Sequence, residues 1–389
     1  MRRNIALLAV CQALLLTGGV LLASTAALVG ARLAPSATLA TVPLFAFNLG
    51  VMVAVVPASM LMKRIGRRWG FALGGAIGVA GAITSTAGAT RSSFELFCAG
   101  MAVLGAYMAI GSFYRFAAAE AATPEYRGHA IGWVVGGGLV AAFSGTWLSV
   151  VTQHASGFPE FGASYVAVGA TAALTIIAAL LLDVRTPTAE ECARCGRPLF
   201  EIARQPDYVI AATVAALGYF VMTLVMNATP LAAHSMAYGF GTTALLIRWH
   251  VVAMFAPSFF TGPLIRRLGL TGVLGTGGGL MATSIVVNLV ASGQLAMWIA
   301  LVALGLGWNL LYVGGTTLLT HAYVEEERSK SEGLNEFVVY AMISLASFGA
   351  GELQARWGWP AVNASAAVPV MLIAAAVVWL GVRQRSAQR

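Results

Sequence analysis

Stretches of about 20 or more mostly apolar residues recur from one end of this chain to the other, and that length is what an α-helix needs to cross a bilayer. Twelve can be read: 5–30, 38–61, 69–89, 93–117, 130–153, 162–183, 207–233, 240–264, 270–291, 295–320, 331–354 and 360–383. The first follows Met1-Arg2-Arg3 as a signal core would. It is too long for one and lacks a small-residue cleavage site, so it is kept as span one. Composition agrees. Of 389 residues 59% are hydrophobic and 10% charged. Counting the 44 glycines, the apolar share is roughly 70%, against about 45–50% in a soluble domain. So few charges cannot clothe a soluble globule, which excludes a soluble enzyme, a nucleic-acid binder and a disordered chain. Four cysteines exclude a disulfide scaffold. The expectation is an all-α, multi-pass membrane protein surrounded by lipid, with no enzymatic activity and no cofactor.

The basic residues set the orientation. With the N-terminus inside, 19 of the 23 Lys and Arg fall in cytoplasmic segments. Only Arg32, Arg91 and Arg356 lie opposite, and Arg248 lies within a span. Both termini are therefore expected in the cytoplasm, and the net charge of +8 is a topology signal.

The longest polar connection separates six spans from six. It divides the chain into an N-terminal six-helix bundle (1–183), a cytoplasmic linker (184–206) and a C-terminal bundle (207–389). The halves echo each other. Ser59-Met-Leu-Met-Lys63-Arg64-Ile-Gly66 after span two matches Gly262-Pro-Leu-Ile-Arg266-Arg267-Leu-Gly269 after span eight. Parallel six-helix repeats place a transport site near mid-membrane between the halves. The pattern resembles the major facilitator superfamily, whose loop G-x-x-x-D-R-x-G-R-[RK] is approached here by Arg64-Ile-Gly66-Arg67-Arg68. Ser59 stands in place of its glycine and Lys63 in place of its aspartate. The resemblance implies two six-helix bundles and a gating role for Arg64, Gly66 and Arg67, with the aspartate latch itself missing.

Polar groups at membrane depth are costly and mark function by default. Here they are Gln12 and Asn48 in the first half, and Asn227, Arg248, His250, Asn309 and Asn335 in the second; Glu336 lies a turn inside span eleven. No pocket of opposite charges suits an anionic or zwitterionic solute. Soft donors stand out instead. Span seven holds Met222-x-x-x-Met226 and span eight His250-x-x-x-Met254. Residues i and i+4 share a helical face, so each pair can aim two donors at one point. Fourteen methionines make the first pair unremarkable, but with five histidines a His-x-x-x-Met pair deep in a span is uncommon by chance. Thioethers are soft and suit Cu(I), whereas zinc, iron or manganese would want carboxylates or thiolates. An imidazole ligand must be deprotonated, so capture should weaken in acid. The expected metal site is Met222, Met226, His250 and Met254. Met226 and His250 should form an outer rung, with Met222 and Met254 one turn further in.

Met222-x-x-x-Met226 followed by Thr229-Pro230-Leu231-Ala232, then Trp249-His250-x-x-x-Met254-Phe255-Ala256-Pro257-Ser258-Phe259, is similar to the CcoA-type (CalT) copper importers, a bacterial branch of that superfamily. Tyr114-Arg115-Phe116-Ala-Ala-Ala-Glu120 at the end of span four resembles the branch as well, which implies gating or structural roles for Arg115 and Glu120. The resemblance implies import of copper, as Cu(I), across the bacterial inner membrane for assembly of cbb-type cytochrome oxidase.

Secondary candidates for copper transfer are Cys192 and Cys195 in the linker, able to pass Cu(I) to a cytoplasmic chaperone. Cys98, Met101 and Met108 form a stripe on span four, through which the first half could contribute to the site. His234 and Met236 stand at the outer end of span seven. Plain packing is the competing explanation for the methionines. The cargo is expected as a copper ion or a copper chelate, carried by a monomer that binds no nucleic acid. The alternative is a facilitator or exporter of an uncharged or cationic organic solute of the drug type.

Overall fold

A computed structural model describes residues 2–123, 130, 133–183, 197–324 and 327–387, and among these every regular element is a helix. Span one is Arg2–Leu33. Spans two and three follow one another within Val42–Thr90 as two helices that meet at a kink, where the backbone of Gly66 is not helical. Span four runs Phe94–Gly111 and continues after a break as Tyr114–Glu120; spans five and six are Gly137–Val151 and Gly162–Leu180. In the second half, span seven is Pro206–Ser235 and span eight Phe240–Phe255. Span eight continues past Pro257 in the helix Ser258–Val290, which bends at Gly269 into span nine. Span ten is Gln294–Leu319. Spans eleven and twelve occupy Arg328–Ser365, bent at Gly358, and Ala367–Ala387.

Ten of the described helices are long and apolar enough to cross a membrane. The difference from the expected twelve has two physical sources. Spans eleven and twelve follow one another within Lys330–Ser386 with only the Gly358 kink and no intervening loop, and the helix Phe240–Phe255 has only 16 residues because Pro257 interrupts it. The connections expected at 62–68 and 265–269 are very short: in each, two helices meet at one non-helical glycine, and the two kinks have the same geometry, φ 81° and ψ 162° at Gly66, φ 71° and ψ 165° at Gly269. That left-handed backbone is open to glycine at little cost, so the sequence repeat is a repeat of backbone geometry.

The halves meet along two seams, span two against span eleven and span five against span eight. At the end away from the basic bends, the backbone N–H of Gly351 donates to Thr41 Oγ1 at 2.9 Å. Nearby, Phe45 and Phe348 pack edge to face with centroids 5.6 Å apart. Asn48 donates through Nδ2 to Ser347 Oγ at 2.9 Å, and Asn227 donates to the same oxygen at 2.9 Å. At the basic end, Arg115 of span four reaches across to donate to Tyr312 Oη and lies 3.5 Å from Glu336. Polar contacts thus cross between the halves at both ends.

Candidate functional site

Span ten holds the centre of the second half together. Gly305 lets it approach span eight so closely that a Cβ there would lie 2.6 Å from the carbonyl oxygen of His250. Two polar contacts use that proximity. His250 Nδ1 is 2.7 Å from the carbonyl oxygen of Leu301. A carbonyl can only accept, so the proton sits on Nδ1 and the lone pair on Nε2. Asn309 donates to the carbonyl of Met254 at 2.7 Å and to Ser258 Oγ at 2.7 Å, and accepts from Thr261 Oγ1 at 2.8 Å. The Met254 carbonyl lies where the helix is broken before Pro257, and Asn309 satisfies it. Asn309, a deep polar candidate, therefore braces the bend. Span ten thus holds the imidazole of His250 and the backbone, not the thioether, of Met254.

His250 is 1% exposed, and its Nε2 is buried with no hydrogen-bond partner among the described residues. Met226 is 6% exposed, while Met222 and Met254 are half-buried, and all three pack into one apolar core.

An aromatic layer lies beneath these residues on the side of the basic end. Trp308 and Tyr312 of span ten stack with centroids 5.0 Å apart and planes 9° apart. Tyr219 of span seven packs edge-on to both, at 5.1 and 5.6 Å. Phe255 of span eight lies 6.1 Å from Trp308. Trp308 thus touches the Met-bearing helix one turn before Met222 and the His-bearing helix immediately after Met254. Met226 follows Tyr219 by seven residues, His250 precedes Phe255 by five, and Leu301 precedes Trp308 by seven. At 1.5 Å per residue these are about 10, 8 and 10 Å. All three counts run away from the basic end, so Met226 stands about two turns from the layer and His250 about one and a half, and Met222 and Met254 stand nearest to it. Tyr219, Met222 and Met226 also share one face at i, i+3 and i+7.

Beyond the layer, Arg115 joins Tyr312 and Glu336, and its guanidinium carbon lies 4.8 Å from the Phe116 ring. On the opposite side, Asn227, next to Met226, bonds Ser347, the residue that Asn48 of the first half also reaches. By residue count the four donors stand between these two levels of contact across the halves.

The remaining candidates separate. Met101 is fully buried in the core of the first half, Cys98 is half-buried, and Met108 packs against Gly19 at the edge of that core. The stripe on span four is thus split among three environments. His234 and Met236 are exposed at the end of span seven. Arg64 is exposed, while Arg67 lies over the Phe113 ring at 5.7 Å and contacts Met62 Sδ at 3.8 Å. Cys192 and Cys195 lie outside the described residues, as do the side chains of Lys63 and Glu120. Sequence reasoning missed the aromatic layer, although Trp308 and Tyr312 at i, i+4 in an apolar span were a signal. It also missed the pairing of Arg115 with Glu336, which no local pattern announces.

Residues 8–190 match the family model described as sugar (and other) transporter. The riboflavin transporter RfnT of Brucella anthropi is 36% identical over 366 residues, covering 93% of this chain and 92% of its own. The chain belongs to the major facilitator superfamily. An MFS-type transporter of Bacillus subtilis, YdeG, is 28% identical over 371 residues, covering 91% of this chain and 86% of its own. Among solved structures, a D-xylose–proton symporter aligns with a TM-score of 0.72 at 13% identity, over 95% of this chain and 96% of its own. The partially occluded, inward-open xylose transporter XylE of E. coli aligns with a TM-score of 0.71 at 10% identity, with the same coverage. At such identities the likeness is one of fold. The chain is a multi-pass membrane transporter.

Proposed function

We propose that this transporter imports copper, as Cu(I), through Met222, Met226, His250 and Met254. The observation that carries the reading is the state of His250. Its Nδ1–H is held by a backbone carbonyl, and its buried Nε2 lone pair has no partner. A ligating histidine is typically oriented in this way, its second nitrogen donating to a carbonyl or carboxylate. A buried imidazole nitrogen left unpaired otherwise costs about 1–3 kcal/mol for nothing. The counts from the aromatic layer support a two-rung ladder, with the His250/Met226 rung toward the non-basic end and the Met222/Met254 rung nearer the layer. Neutral donors leave bound Cu(I) with one net positive charge in low dielectric, which limits affinity and favours release. The positive-inside pattern supports an orientation with both termini in the cytoplasm; the inward direction, across a bacterial inner membrane and toward assembly of a copper-dependent oxidase, is carried over from the resemblance to copper importers. Cys192 and Cys195, in the linker, are the proposed exit relay to a chaperone.

A second reading has its own observation. The layer of Trp308, Tyr312, Tyr219 and Phe255, with Arg115 beside it, suits a planar hydrogen-bonding heteroaromatic solute, and the 36% identical relative is a riboflavin transporter. Uptake of isotopic copper and of labelled riboflavin, measured side by side in cells expressing the wild type, His250→Ala, Met226→Ala or Trp308→Ala, separates the two. Copper uptake lost in the first two variants supports the metal site. Riboflavin uptake lost only in Trp308→Ala, with no copper signal, transfers the function to the aromatic layer.

A further inference from the structure

On the flank of the molecule, where span five of the first half meets span eight of the second, a shallow open groove is lined by Phe143, Ser144, Trp147 and Arg248. Phe143 and Trp147 are 49% and 58% exposed, on the same face of span five as the exposed Val140 and Val150. In a membrane-spanning helix that face meets lipid. Arg248 is the one Lys or Arg of the sequence expected inside a span, and its position here is unusual. Its Nε donates to Thr146 Oγ1 at 2.9 Å and its guanidinium carbon lies 5.7 Å from the Phe143 ring. Among the described residues no carboxylate pairs with it, and its two terminal nitrogens have no hydrogen-bond partner. An unpaired cation at membrane depth is expensive unless something anionic meets it or it reaches the interface.

Its depth allows both. Counted from the Gly239 cap through the Pro257 bend to Gly269, span eight is about 30 residues, or roughly 45 Å, against a hydrocarbon thickness of about 30 Å. Its centre falls near Met254. Arg248 is six residues from there, about 9 Å toward the non-basic end, and an extended arginine covers the remaining distance of about 6 Å to the headgroups. We propose that this groove binds an anionic phospholipid of the leaflet at the non-basic end, its phosphodiester on the terminal nitrogens of Arg248 and an acyl chain along Phe143 and Trp147. Thr146 belongs to one half and Arg248 to the other, so the lipid sits across the seam that must shear when the halves rock.

Native mass spectrometry of the full-length protein, released from nanodiscs of phosphatidylcholine containing phosphatidylglycerol, tests the site. The wild type should retain one more phosphatidylglycerol than Arg248→Gln, and Arg248→Lys should restore most of that difference by keeping the charge. Arg356→Gln, at the same end but away from the groove, should match the wild type. Equal phosphatidylglycerol retention in wild type and Arg248→Gln would overturn the proposal, as would a retained lipid that is phosphatidylcholine. Should Arg248→Gln fail to fold, the lysine variant decides alone: retention at the wild-type level supports the site and its complete loss overturns it. Copper plays no part in the measurement, so its result is independent of the transport reading.

Discussion

His250 Nδ1 lies 2.7 Å from the carbonyl oxygen of Leu301, an approach made possible because residue 305 on the same helix is glycine. That contact chooses the tautomer and leaves Nε2 as the free donor. It ties the chemistry of span eight to the packing of span ten.

Gly305→Ala should therefore damage the site without touching a ligand. The added methyl would lie 2.6 Å from the His250 carbonyl and 3.0 Å from Ala253 Cβ, so span eight must move outward. Overpacking of this kind costs about 1–3 kcal/mol. A thermal shift assay should record the loss, and copper uptake should fall with it, while Gly279→Ala, which meets nothing within 4 Å, should leave both unchanged.

Asn309→Leu removes three hydrogen bonds and takes the side-chain donor from the buried Met254 carbonyl, while the Thr261 hydroxyl keeps the Pro257 carbonyl at 2.9 Å. A buried group left unpaired costs about 1–3 kcal/mol. The variant should unfold at markedly lower temperature in detergent. If it unfolds like the wild type, the bend at Pro257 does not depend on this side chain.

Much of the architecture could be read before any coordinates. The length of apolar runs is a local property, and so is the need for glycine at the two bends, which is why Gly66 and Gly269 stood out as a repeat. The His-x-x-x-Met pair was legible because a histidine is rare at that depth. Other features depend on contacts between residues far apart in sequence. Arg115 meets Glu336 from 221 residues away, and Trp308 gains its meaning only from Tyr219 and Phe255 on other helices. The stripe of Cys98, Met101 and Met108 satisfied the helical spacing, yet the neighbouring helices gave its members different surroundings. Periodicity says which residues share a face, but not what that face meets.

The basic-end loop offers a pH test outside the membrane. Glu327 accepts from the Arg197 backbone N–H at 2.8 Å, from Nε at 2.7 Å and from Nη2 at 2.6 Å, and from Val324 N–H at 3.2 Å. Hydrogen bonds from the Arg197 side chain, outweighing the cost of burial, draw its carboxyl down from 4.5 to about 2. A lowered folded-state pKa stabilises the contact fully above about pH 4.5, and that contribution disappears as pH falls toward about 2. Amide exchange around 197–203 should accelerate across that window. Glu327→Gln should show the faster exchange already at neutral pH, with little further change on acidification.

Arg115→Gln removes the cation that meets Tyr312 and Glu336 across the two halves. The basic-end contact should open more often, seen as faster alkylation of a cysteine introduced at Val313, while the copper affinity of the purified protein stays within a few-fold of wild type. A large loss of affinity would place Arg115 in the binding site instead.

The most direct test is copper affinity and uptake in His250→Ala and Met226→Ala, alongside Met101→Leu as a buried control. With the site proposed, removing either ligand lowers Cu(I) affinity by at least the 10–100-fold typical of losing even a ligand's outer-shell partner. Isotopic copper accumulation should fall to the level of cells lacking the protein, and Met101→Leu should accumulate copper as the wild type does. Accumulation equal to wild type in both His250→Ala and Met226→Ala would contradict the account.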